Sequence, residues 1–114
     1  MSWTLHHSQS EHYAGLAEEA VRQQNRDRAV ELYRLAAREE VSALETLEPT
    51  KARTIGITAV SAASLWFKAQ DFRQAERVAY QWLMTDVLPG FAVQELQELL
   101  QLIWSEKEHQ KKGA

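Results

Sequence analysis

The sequence predicts an all-α protein, and three observations carry that expectation. Helix-favouring Ala, Leu, Glu, Gln and Arg are abundant. The residues that break helices are scarce, with only four glycines and two prolines in 114 residues. Apolar positions recur at spacings of three and four along most of the chain, and alternating strand patterns are missing.

Composition narrows the possibilities further. A chain of this length forms one domain with a core large enough to need no staples. It has no cysteine, which excludes disulfides and thiolate metal sites. Thirteen basic residues face sixteen acidic ones, a net charge of −3, whereas a non-specific nucleic-acid binder carries a basic excess. No apolar run approaches the roughly 18 residues of a membrane span. The opening MSWTLHHSQS has neither a basic region nor an apolar one, so no signal peptide and a cytoplasmic location are expected.

Five helices are expected in order. Residues 1–8 lack a helical period and read as an N-terminal arm, from which Trp3 and Leu5 can dock. Ser8 with Glu11 fits a capping box, so the first helix is placed from about Gln9 to Gln23, with Tyr13, Leu16, Ala17 and Ala20 inward. Asn25 and Asp27 suit the end of one helix and the cap of the next. The second helix runs from Asp27 to Leu47 and stops at Pro49, because the residue before proline is pushed out of the α region.

The third helix is expected from Thr50 to Ala69. Its second half, starting at Ile57, is apolar on nearly every side, as in a helix that neighbours cover on several faces. Ile55, Ala59, Ala62, Trp66 and Ala69 make its inner stripe. Gly56 within it costs about 1 kcal/mol relative to alanine, and its bare backbone allows close approach by a neighbouring helix or a ligand. Asp71 caps the fourth helix, which runs to Met84 with Phe72, Ala75, Val78, Ala79, Trp82 and Leu83 inward. DVLPG breaks the chain at 86–90. A fifth helix follows from Phe91, with Val93, Leu96, Leu99, Leu100 and Ile103 at core spacing and Trp104 beside them. One helical domain over 9–109 and a flexible tail over 110–114 complete the division.

The chain repeats itself. LAEEAVRQQNRDRAVELYRLA and ASLWFKAQDFRQAERVAYQWL align Ala17 with Ala63, Ala20 with Trp66, Val21 with Phe67, Arg22 with Lys68 and Ala29 with Ala75. The pattern resembles the tetratricopeptide repeat, most clearly in LWFKAQDFRQAERVAYQWL: an aromatic pair with a following lysine, Asp71-Phe72 at the turn, and Ala75 opening the second helix. The step is 46 residues, against about 34 in that family, and the excess of about three helical turns falls around Pro49. The family's glycine in the first helix is replaced by Ala17 and Ala63, and Trp82 stands where a small residue is usual. The resemblance implies two divergent units of antiparallel helical hairpins over 10–84, with the fifth helix as cap. It also implies a partner groove lined by the first helix of each unit. The Lys and Asn positions of the family's carboxylate clamp hold Ala14, Glu18, Val60 and Ser64, so that mode is not expected.

Few residues suggest chemistry. His6, His7 and His12 cluster near the start, without a carboxylate at recognisable ligand spacing, and read as a solvated terminus; His109 reads the same way. No histidine accompanies Ser61 or Ser64, and phosphate-loop and HExxH motifs are missing. Glu18-Glu19 and Glu39-Glu40 are adjacent pairs that diverge around a helix and read as solvated faces. A non-enzymatic protein without cofactor or metal is therefore expected.

The expected site is a face of the third helix. Arg53, Ile57, Val60, Ser64, Phe67 and Lys68 share one side at spacings suited to a helix, with Arg22 of the first helix at the margin. An apolar floor with cationic edges suits a protein or peptide segment that is acidic and carries apolar anchors. A structural or regulatory subunit forming an obligate oligomer is one alternative; Trp104, beside the apolar face of the fifth helix, reads as a cap contact or a dimer contact. An antitoxin-like regulator contacting nucleic acid through Arg22, Arg26, Arg28, Arg34 and Arg38 is another. The interleaved Glu31, Glu39 and Glu40 weaken that last reading.

Overall fold

The computed structural model describes residues 2–113 and shows five helices and no strand among them. These are α1 (Trp3–Arg22), α2 (Arg26–Glu45), α3 (Ala52–Lys68), α4 (Phe72–Leu83) and α5 (Gly90–Gly113). The all-α expectation holds.

Consecutive helices pack against one another, and α5 packs on α3 as well as on α4. Side-chain contacts fix their directions. Trp3 reaches Thr58 at one end of α1 and α3, while Val21 and Lys68 share a groove at the other, so these two helices run parallel. Pro89 and Ala92 approach Gly56, whereas Glu76 of α4 bonds Trp104 and Lys107. Thus α5 runs with α3 and against α4. The helices α1, α3 and α5 form one layer, with α2 and α4 behind. The Cα extents of 42 × 30 × 17 Å are those of a slab two helices thick.

The internal repeat is visible atom by atom at the two hairpin turns. Asn25 N–H donates to the Ala20 carbonyl and Gln24 N–H to that of Val21; 46 residues later Asp71 donates to Trp66 and Gln70 to Phe67. Both turns pass through the left-handed region, with Gln24 and Gln70 each at φ 60°. This is a Schellman ending with glutamine where glycine is the usual residue. The next residue caps the following helix: Asn25 accepts from Arg28 N–H at 3.3 Å, and Asp71 from Gln74 N–H at 3.1 Å.

The core confirms the stripes of the third and fourth helices. Ile55, Ala59, Ala62, Trp66 and Ala69 are all buried, as are Phe72, Ala75, Val78 and Ala79. Alanines without exposed area stand where helices cross: Ala17, Ala36, Ala63 and Ala75. The excess length around Pro49 builds a small core of its own, in which Leu44, Ile55 and Ala59 pack with Leu47, Trp82, Val87 and Leu88. Trp82, half-buried, bridges this cluster to the main one.

Several boundaries differ from expectation. Residues 3–8 are not an arm: α1 begins at Trp3, capped by Ser2, whose hydroxyl accepts from Leu5 N–H at 3.3 Å. Met1 lies outside the described residues. The first turn is held by tertiary contacts that apolar periodicity does not display. The Trp3 indole donates to Thr58 at 3.1 Å, and His6 and His7 bond Glu39 and Glu40, each at 2.9 Å. Glu40 is therefore not on a solvated face; it is buried. Leu16, placed inward from sequence, lies on the exposed side of α1. The expected tail 110–114 is helical through Gly113, with Lys111 and Lys112 in the last turn favoured by the helix dipole; Ala114 lies outside the described residues. No described helix is long and apolar enough to cross a membrane.

Candidate functional site: a groove between the first and third helices

Because α1 and α3 run parallel with α2 wedged behind them, a groove opens between them at the end where the hairpin turns lie. It encloses about 430 Å3. Val30 and Tyr33 of α2 form its floor, Val21 one wall and Lys68 the other, with Arg26 and Gln70 at the mouth. Tyr33 is nearly buried, while Val21 is 54 % exposed.

The turn geometry positions the polar rim. The left-handed Gln70 extends toward the first turn, and with its carboxamide oxygen facing Arg26 it accepts from Nη2 at 2.7 Å. The two repeat units are tied together there. Lys68 Nζ sits 5.7 Å from the centroid of the Tyr33 ring, a cation–π distance. Burial, assisted by the charge of nearby Glu18, pushes the Tyr33 phenol up from its ordinary value, so it stays neutral. No acidic residue lines the groove among the described residues, and neither Arg26 nor Lys68 forms an ion pair there.

The expected site residues divide. Lys68 lies in the groove wall. Ser64, Val60 and Phe67 are half-buried along the adjoining side of α3, Phe67 against Phe72 with ring centroids 5.3 Å apart. Ile57 is 46 % exposed, and Arg53 is exposed at the start of the helix. Fifteen residues of α-helix rise about 22 Å, so Arg53 and Lys68 mark the ends of a strip rather than one pocket. Arg22 is engaged with Glu19 at 2.6 Å on the exposed side of α1 and does not line the groove.

Sequence reasoning missed Tyr33, Val30 and Gln70 as lining residues, and placed Arg26 only among possible nucleic-acid contacts. A signal was available in the repeat alignment, which superimposes the two turns and so brings Gln24 and Gln70 into register. No group of three or more His, Asp or Glu able to hold a metal ion occurs among the described residues. Comparisons with family models, curated proteins and solved structures gave no match.

Proposed function

We propose that this chain is a non-enzymatic, cytoplasmic protein-interaction module of tetratricopeptide-like design, which binds an acidic partner segment in the α1–α3 groove and along α3. The observation that carries the reading is the groove itself, apolar inside and edged by Arg26 and Lys68 without acidic partners. The turns repeating at a 46-residue step support the resemblance to a helical-repeat design, in which the first helix of each unit faces the ligand. An anchor side chain would enter over Val30 and Tyr33 and supply most of the affinity. Carboxylates beside it would meet Lys68 and Arg26, and more distantly Arg53, setting orientation and on-rate.

Selection from a random peptide library against the whole chain tests this. The selected peptides should combine Asp or Glu with one or two large apolar residues. Val21→Asp and Lys68→Glu should each weaken them by about 1–3 kcal/mol in calorimetry. Arg53→Glu should act mainly on the association rate at low salt. Peptides bound equally by all three variants would place the binding face elsewhere.

A further inference from the structure

On the opposite layer a second depression opens between α2 and α4, about 360 Å3 in volume, with Trp66 of α3 at its base. Arg38 of α2 and Arg77 of α4 stand in its walls, beside Val41 and Val78. The remaining lining is Ser42, Gln74 and Gln81, all able to donate hydrogen bonds and none acidic. In a chain of net charge −3, neither arginine forms an ion pair among the described residues. Two positive groups share one concavity with no carboxylate between them.

A second, independent observation lies at the base. Trp66 is 6 % exposed, and its indole Nε1–H is buried without an acceptor. Buried donors are nearly always satisfied, and an indole N–H can only donate. The first repeat unit has no counterpart, since Ala20 and Glu31 occupy the positions equivalent to Trp66 and Arg77. The combination of Trp66 with Arg77 therefore belongs to the second unit alone.

We propose that this depression binds a small organic carboxylate with an apolar body. The planar carboxylate matches the guanidinium forks of Arg38 and Arg77, and a shift of the Trp66 ring, whose N–H is closed to solvent in the unliganded fold, brings that donor to it. The body of the ligand lies against Val41, Val78 and the indole, a wall that a bare inorganic anion would leave unused. A cavity of this size falls in the lower range of small-molecule sites.

The test is an NMR titration of the whole chain, following the Trp66 indole N–H, assigned by its loss in Trp66→Phe. Benzoate, its neutral isostere benzamide and inorganic phosphate serve as probes. Benzoate should saturate and move the Trp66 signal downfield, as expected when the N–H gains an acceptor. Arg38→Gln and Arg77→Gln, both at exposed positions, should each weaken benzoate by about tenfold, the factor corresponding to one lost charge-assisted bond. Arg28→Gln, outside the depression, should not change it. Failure of benzoate to saturate at millimolar concentrations overturns the proposal. So does equal binding of benzamide, equally strong binding of phosphate, or a Trp66 signal that stays still while benzoate binds elsewhere.

Discussion

The Glu40 carboxylate is 1 % exposed, and burying a charge at that depth is costly unless a partner answers it. His7 does so through Nδ1 at 2.9 Å, while its Nε2 meets Glu11 at 2.8 Å and the Trp3 ring stacks on it with centroids 4.4 Å apart. Beside this pair, His6 meets Glu39 at 2.9 Å. Burial works to lower the His7 pKa, but the hydrogen bond and charge of Glu40, joined by Glu11, outweigh it and hold it above the ordinary 6.5. A raised histidine pKa fixes the sign: its contribution is fully present below the unfolded value near 6.5 and is lost as pH rises through the folded one. The parent protein should thus lose stability relative to His7→Gln as pH rises above about 6.5. Denaturant midpoints measured across that range check it, and parallel curves would refute the coupling. His7→Ala should cost about 2–4 kcal/mol at neutral pH, because it leaves Glu40 buried without its cation. The sequence hid this cluster for a physical reason. Adjacent glutamates point to different sides of a helix, and nothing in the local pattern shows that one of those sides faces α1.

At the scale of elements, what was legible was whatever a helix declares by its own period. The stripe through Ile55, Ala59, Ala62, Trp66 and Ala69 was readable because one apolar face must be covered, and the Asp71 cap was readable because only a short polar side chain reaches the free N–H groups. The start of α1 was not, since Trp3, His6 and His7 are fixed by residues more than 30 positions away. The candidate groove was legible only in part: Lys68 lies on the face read from α3, but the floor comes from α2, whose Tyr33 looks like an ordinary core residue in sequence. The close approach foreseen at Gly56 is real, and its neighbour is the start of α5. A Cβ there would come within 2.9 Å of the Pro89 ring carbons and 3.0 Å of the Ala92 Cβ. A proline ring has little freedom to withdraw, so Gly56→Ala should destabilise by about 1–3 kcal/mol despite the better helix propensity of alanine. Thermal unfolding of the variant decides it, and a gain in stability would mean that the α3–α5 junction yields easily.

At the scale of the whole molecule, the order of packing makes α5 the element that closes the slab. Its Leu96, Leu99, Leu100 and Ile103 are buried in the main core, where α5 covers α3 and α4. The helix also divides along its length. Through Lys107, which meets Glu76 at 3.3 Å, it is tied to α4; from Glu108 onward every described residue is exposed. Two truncations should therefore behave differently. Removing residues 109–114 deletes only exposed helix and should shift stability by less than about 0.5 kcal/mol. Removing residues 91–114 strips the cover from the faces of α3 and α4 on which α5 packs, and the shortened chain should aggregate. Light scattering separates the two cases. If the longer truncation remained a folded monomer, α5 would be dispensable and the slab would have to close on α3 and α4 alone. If it formed a discrete soluble dimer, the face beneath α5 would be self-complementary, and α5 would act as an intramolecular shield against pairing between copies of this chain.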